Sequence, residues 1–429
     1  MDGTRFAEQS SESLNSISEW QQQIPSASRK AYLTDLIHSE ALQTLIRQGL
    51  RNNPGLQQTA LAIKIARENV TDVRGDRLPQ ASLSVSQNNS EGSDTVYQGS
   101  LDVSWTLDWL QKLQDGVNVS EASLANSIAA DRYARDLLAA TIADTWLQLI
   151  RQTRLTEIEQ NRLSVLEQNE QTIVERYRKG LDELTDLDSA RSQSASSRAT
   201  LAAYTENYEA LQRSMAVLLG DTSYRKTNRI NFPRVEIPLA SMPAQDLGRR
   251  PDLQQAYLNI RIADLNSAIA YKALLPSLSL NLSLSQSDAS FRNALFTSPA
   301  WGLLNRITAP LFQGRKLRAQ ARQADLTAEQ VYWAYQEKLL TAVKEVEDAM
   351  GQEHALTARQ AHISDALTNA ERSFETYQTK YRQGLVSFLD LLTVQTQTFD
   401  LQVQKAKLTY ARLTNRITLG LALGLGVES

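Results

Sequence analysis

Histidine is the side chain best suited to proton transfer near neutral pH, and this chain holds three of them, His38, His354 and His362. His354 and His362 lie eight positions apart, about two helical turns, and read as surface histidines. The chain has no cysteine, which excludes disulfides, thiolate-bound zinc, iron–sulfur centres and thiol catalysis. No GxxxxGK[ST], HExxH or GxSxG motif occurs, and Gly420, Gly424 and Gly426 sit in the wrong context for a dinucleotide. The expectation is a protein without cofactor, resident metal or enzymatic step. What does recur is a short turn. Tyr177-Arg178-Lys179-Gly180-Leu181 matches Tyr381-Arg382-Gln383-Gly384-Leu385, and each is followed at the same spacing by Asp-Leu, at Asp186-Leu187 and Asp390-Leu391. Glycine permits the left-handed backbone that a helix reversal requires, so these are turns with a carboxylate just beyond them.

The elements that carry these turns follow from where glycine and proline are missing. Neither occurs from Val117 to Lys179, Leu181 to Leu219 or Leu385 to Leu419, and Arg315 to Gln383 holds only Gly351. These segments are rich in good helix formers. An uninterrupted helix over the first would be about 95 Å long at ~1.5 Å per residue. Apolar residues recur by threes and fours, as in Tyr332, Tyr335, Leu339, Val343, Val346 and Met350, and in Phe399, Val403, Ala406, Tyr410, Leu413 and Ile417. That is the pattern of long packed helices.

Two regions alternate instead. Ala81, Leu83 and Val85 interleave with serines; Leu101, Val103, Trp105, Leu107 and Trp109 interleave with Ser100, Asp102, Ser104, Thr106 and Asp108. The pattern returns at Leu278, Leu280, Leu282 and Leu284, and again from Trp301 to Leu311. Each region reads as a β-hairpin with one apolar and one polar face.

The chain is also internally duplicated. Pro54-Gly55-Leu56-Gln57-Gln58 matches Pro251-Asp252-Leu253-Gln254-Gln255 at an offset of 197, and the offset becomes 204 at the two turns. The change of 7 places an insertion in the second hairpin loop. Pro233, Pro238 and Pro243 mark the linker between the copies.

Composition narrows the setting. Forty-five Lys+Arg against 48 Asp+Glu leave a net charge of -3, with no global basic field for nucleic acid. No run approaches the ~18 apolar residues of a membrane helix. Met1 to Arg5 shows no signal peptide, a reading that leaves open both a cytoplasmic chain and a mature form begun from an added Met. Alternating strands escape hydropathy measures, so a β-barrel stands. Four strands cannot close a barrel, and their open edges are a liability. Three chains would supply about 12 strands, enough to surround a lumen. Apolar faces would then meet lipid, with Trp105, Trp109 and Trp301 as membrane-interface aromatics.

On these residues, from about Leu36 to Leu425, the chain resembles the outer membrane factor family, the TolC-like channels of tripartite efflux pumps and type I secretion systems. Leu247-Gly248-Arg249-Arg250-Pro251-Asp252-Leu253 is similar to the GRRPD signature of the branch serving proton-driven, RND-type pumps, and Leu275-Pro276-Ser277-Leu278-Ser279-Leu280 also fits. The resemblance implies a mainly α fold with a β-barrel: a homotrimer whose 12-stranded outer membrane barrel continues into a periplasmic α-helical barrel, with an equatorial belt. Residues 1–34 would be an equatorial or extended segment; 35–77, 112–219, 249–274 and 315–420 would be α-barrel helices. Residues 78–111 and 275–314 would be the hairpins, 220–248 an equatorial linker and 421–429 a tail. Many members of the branch are lipidated on an N-terminal cysteine, which this sequence lacks.

The resemblance also implies roles. Lys179, Gly180 and Leu181, with Gln383, Gly384 and Leu385, would form tips that contact a periplasmic adaptor. Asp390 would line the pore gate, where three copies should raise one another's pKa. Thr393 stands where some relatives carry a second gate acid, which points to a single ring. Tyr381 and Asp186 match a hydrogen-bonded pair that latches the closed tube, Asp186 thereby belonging to the gate. Arg249 and Arg250 read as structural, satisfying helix ends or carboxylates. The expected partners are two further copies, an adaptor, an RND-type transporter and outer membrane lipid, with no nucleic acid. The expected function is passive exit of drugs or other small toxic compounds. A type I secretion channel is the runner-up, and a soluble coiled-coil scaffold is the rival class.

Overall fold

A computed structural model of the chain describes residues 4–21, 27, 28, 30, 32–92, 94–180, 183–225, 231–296 and 299–427. The chain begins with α1 (Arg5–Asn15), a 3₁₀ turn (Leu33–Leu36), α2 (Glu40–Asn52) and α3 (Pro54–Gly75). The first hairpin, β1 (Gln80–Asn88) and β2 (Val96–Leu107), precedes α4 (Lys112–Arg178) and α5 (Leu184–Leu219). The second copy follows as α6 (Pro243–Arg249), α7 (Pro251–Lys272), β3 (Ser277–Asp288), α8 (Phe291–Phe296), β4 (Ala300–Thr308), α9 (Lys316–Arg382) and α10 (Phe388–Ala422).

The duplication survives in the element lengths. Helices α3 and α7 both have 22 residues, and α4 and α9 both have 67. The change of offset falls between the starts of β3 and β4, where the second loop carries helix α8. That helix has no sequence signal beyond the extra residues. The helical stretch expected over 35–77 is broken at Asn53, whose Oδ1 accepts the backbone N–H of Gly55 at 2.8 Å and so caps α3, with Pro54 at its first position. Pro251 breaks the second copy at the same place, which separates α6 from α7. Residues 1–34, expected to be equatorial or extended, include the helix α1.

The chain divides into two compact units. The first comprises Met1–Ile17, Thr59–Asp131 and Pro251–Leu340. It contains one antiparallel sheet in the order β1-β2-β3-β4. The central pairing, β2 with β3, joins the two copies, with Trp105 opposite Leu280 and Asp102 opposite Ser283. Strands β1 and β4 are the edges, and every residue on them is exposed. The register places Leu83, Leu101, Val103, Trp105, the four leucines of β3, Trp301, Leu303 and Ile307 on one face. The other face carries Ser84, whose hydroxyl lies 2.8 Å from that of Ser100, and Asp102, which accepts from the Ser100 hydroxyl at 2.7 Å. Helix α1 is held to this unit by Asp264. Its Oδ2 accepts the backbone N–H groups of Phe6 and Ala7, both at 3.0 Å, and Phe6 packs on Tyr332 at 5.6 Å between ring centres. A carboxylate from elsewhere thus serves the orphan donors of a helix start.

The second unit comprises Ser18–Gln58, Arg132–Arg250 and Thr341–Ser429. Its core holds fully buried Leu36, Leu42, Ile142, Trp146, Leu147, Met215 and Leu219. Gly49 allows the closest approach there, since a Cβ would meet Ile142 Cδ1 at 2.4 Å. The linker joins this unit edge to edge, with Val235 bridging Ile37 and Glu236 N–H donating to the Leu36 carbonyl at 2.8 Å. Arg250 is buried; its Nη1 donates to the Ala422 carbonyl at the end of α10 at 3.3 Å, and its Nη2 meets Glu345 at 2.7 Å. The signature arginine therefore satisfies a helix end and a carboxylate together. No helix among the described residues is long and apolar enough to cross a membrane.

Candidate channel tip and barrel wall

The two turns are built alike. Gly180 has φ 72 and Gly384 φ 75, both left-handed, and no neighbouring atom lies within 4 Å of where a Cβ would sit. Their requirement is conformational, and it closes each helix: Gly180 N–H donates to the Tyr177 carbonyl at 2.9 Å, and Leu385 N–H to the Lys380 carbonyl at 2.9 Å. Lys179, Gln383, Gly384 and Leu385 are exposed. Leu181 lies outside the described residues.

The structure brings the two turns to one place. Leu166 and Ile173 of α4, Leu187 and Ala190 of α5, Tyr381 of α9, and Phe388, Leu391 and Leu392 of α10 form a single buried cluster. Tyr381 is 5% exposed, lies 6.1 Å from the Phe388 ring and has the Arg176 guanidinium 5.4 Å from its ring centre. The Asp186 carboxylate accepts the Glu183 backbone N–H at 3.3 Å, which makes it part of a helix start. This contact lies within the first turn of α5, and Tyr381 is buried on α9 in the cluster above.

Asp390 is exposed and also serves a helix start. It accepts the Ser387 backbone N–H at 3.1 Å and the Ser387 hydroxyl at 2.6 Å, while the Asp390 N–H donates to Ser387 Oγ at 3.2 Å. The Ser387 hydroxyl, and after it the Ser387 N–H, hold the Asp390 carboxyl below its ordinary value. This opposes the rise expected from like charges, since hydrogen bonds to the charged form favour it. The contribution to stability is present above the ordinary carboxylate range and is lost as pH falls through the lowered value. Thr393, one turn on, is exposed, and its hydroxyl donates to the Leu389 carbonyl at 2.8 Å. Asp390 and Thr393 therefore share an exposed helix face with Leu389, which is 60% exposed. Sequence reading missed Ser387, although Ser-x-x-Asp is a legible capping pattern.

The aromatic positions mark two ends of the sheet. Trp301 opposes Leu284 at the loop end, whereas Trp105 opposes Leu280 towards the helices, its indole N–H donating to the Arg77 carbonyl at 2.9 Å. Trp109 lies beyond β2, two residues past Leu107, and is 58% exposed.

These features, a four-stranded sheet with two apolar-ended hairpins and long helices meeting at paired turns, agree with the comparisons. Residues 45–221 and 242–425 match the outer membrane efflux protein family. The chain belongs to that family. CusC, a cation efflux system protein of Escherichia coli O6:H1, is 27% identical over 402 residues, covering 90% of this chain and 86% of CusC. OpmQ, a pyoverdine export outer membrane protein of Pseudomonas putida, is 24% identical over 397 residues, covering 90% and 82%. The crystal structure of VceC, an outer membrane protein of Vibrio cholerae, superposes with a TM-score of 0.83 at 22% identity, over 94% of this chain and 100% of that one. The fold is that of the TolC-like outer membrane channels, and this chain is an outer membrane efflux channel protein.

Proposed function

We propose that three copies of this chain form a passive exit duct, docked by its helical turns on a periplasmic adaptor and served by an RND-type transporter in the inner membrane. The observation that carries this reading is the sheet with its two fully exposed edges and one apolar face. An even number of antiparallel strands lets β4 of one copy pair with β1 of the next while keeping every neighbour antiparallel, and the closed ring leaves no edge. Twelve strands would enclose an open lumen. The expected result is a mass of about three chains in detergent and aggregation when detergent is withdrawn, as the exposed leucines of the lipid face require. A stable monomer in plain buffer would overturn it.

Asp390, with Thr393 one turn further in, is proposed as the gate ring, charged at neutral pH because Ser387 stabilises the carboxylate. Asp186 and Tyr381 are proposed to latch neighbouring helices at the closed tip, as the matching pair does in the family they resemble. Asp186→Ala and Tyr381→Phe are each expected to raise the conductance of the duct in a planar bilayer without changing its oligomeric mass. Unchanged conductance in both would remove the latch. Lys179, Gly180, Leu181, Gln383, Gly384 and Leu385 are proposed as the adaptor contact. CusC is a cation efflux protein and OpmQ a pyoverdine export protein, and drugs or other small toxic compounds are the proposed cargo here. The GRRPD segment favours efflux over type I secretion.

A further inference from the structure

The polar face of the sheet is lined by serines, and two charges interrupt it. Asp102 lies on β2 opposite Ser283, and Arg306 lies on β4 opposite Ser279. Both side chains are exposed. The Asp102 carboxylate accepts only the Ser100 hydroxyl, and Arg306 has no ionic partner among the described residues. They cannot neutralise each other within the chain: Ser279 and Ser283 are four residues apart on β3, about 14 Å at ~3.4 Å per residue. Strand β3 leads away from helix α7, so Arg306 sits nearer the helical end of the sheet and Asp102 nearer the loops.

From this placement we propose that the barrel lumen carries two opposed rings of charge in series, three Arg306 guanidiniums met first by outgoing cargo and three Asp102 carboxylates met second. The proposal rests on the duct reading, which turns this face inward. A cation is repelled at the first ring and an anion at the second, whereas Ser104 and Asn281, at the level between them, offer hydrogen bonds to any polar solute. The barrel thus favours neutral or zwitterionic polar cargo and disfavours solutes with a large net charge of either sign. Charges spaced round a wide lumen act through water, so the effect grows as salt falls; the screening length is about 10 Å at 0.1 M and about 30 Å at 0.01 M.

The sequence holds no cysteine, so an introduced thiol is unique within it. Ser283→Cys places a thiol beside Asp102, and Ser279→Cys places one beside Arg306. Each is expressed in whole cells held in osmotically balanced medium of about 0.01 M ionic strength, where screening is weak. Membrane-impermeant methanethiosulfonates bearing either an ammonium or a sulfonate are added outside, and the rates are divided by those for a free thiol. These reagents enter through the barrel mouth, so the state of the turns at the other end does not matter. The Ser283→Cys thiol is expected to prefer the cationic reagent about fivefold, and the Ser279→Cys thiol the anionic one by a similar factor. Asp102→Asn is expected to abolish the first preference alone, and Arg306→Gln the second alone. Reaction at both thiols with no charge preference would overturn the rings and leave the duct standing. No reaction at either thiol with either reagent would mean that this face lines no open lumen, and the duct reading would fall with the proposal.

Discussion

An arginine at Leu282 is expected to stop this protein from assembling in the membrane, whereas an arginine one residue further on, at Ser283, is expected to be accepted. Leu282 lies midway along β3 (Ser277–Asp288), opposite Val103 on β2 and Leu303 on β4, so its neighbours on both sides are apolar. Ser283 points to the opposite face, opposite Asp102. An arginine at the midplane of a lipid-facing barrel wall costs about 2–4 kcal/mol, and three copies would multiply that figure. The same guanidinium on the polar face meets water and a carboxylate. Backbone pairing is identical for the two substitutions, so intrinsic strand preference cannot account for a difference between them. The measurement is the yield of heat-modifiable oligomer in the outer membrane fraction, which should be lost for Leu282→Arg and kept for Ser283→Arg. Equal loss in both would mean that neither face is solvated, and the shared barrel would have to be given up.

The alternation of single residues makes that face assignment legible in the sequence itself. Period-two patterning over Leu278 to Ser285 admits one set of neighbours, and the observed register follows it. The long helices were legible for the complementary reason, that nothing in them breaks a helix. Of the two stripes, Tyr335, Leu339, Val346, Met350, Phe399, Ala406, Leu413 and Ile417 are buried, whereas Tyr332, Val343, Val403 and Tyr410 are half-buried. Less of the site was legible. The turns could be placed from their glycines, but the local role of each carboxylate was not read, Asp186 and Asp390 each accepting the backbone N–H of the residue three positions before it. Such a cap costs little chain entropy, because its partners lie only three positions apart. Helix α1 was missed because its first turn is satisfied by Asp264, some 258 residues away, and no local pattern records such a partner.

Glu353→Ala is expected to be the most destabilising single change on the helical side of the protein, by about 3–5 kcal/mol. Glu353 is 2% exposed, yet it gathers two arginines of α10. Its Oε1 accepts from Arg412 Nε at 2.9 Å, from Arg416 Nε at 3.1 Å and from Arg416 Nη2 at 2.7 Å. Arg416 Nη1 donates in turn to the carbonyl of Val235 in the linker, which bridges Ile37, and Arg412 Nη1 donates to Gln360 at 2.9 Å. One carboxylate thus ties α9, α10 and the inter-repeat linker together. Removing it leaves two guanidiniums side by side, with side chains only 12% and 24% exposed, so neither water nor another acid replaces the lost charge fully. Glu353→Gln separates charge from shape, because it keeps one acceptor oxygen while removing the attraction; it should fall between Glu353→Ala and the wild type. Pairing Glu353→Ala with Arg412→Leu, the more exposed of the two arginines, should recover part of the loss by removing half of the repulsion. The check is the thermal midpoint of the detergent-solubilised protein across the four chains. A midpoint for Glu353→Ala indistinguishable from the wild type would mean that the linker is held by the Val235–Ile37 bridge and the apolar core alone.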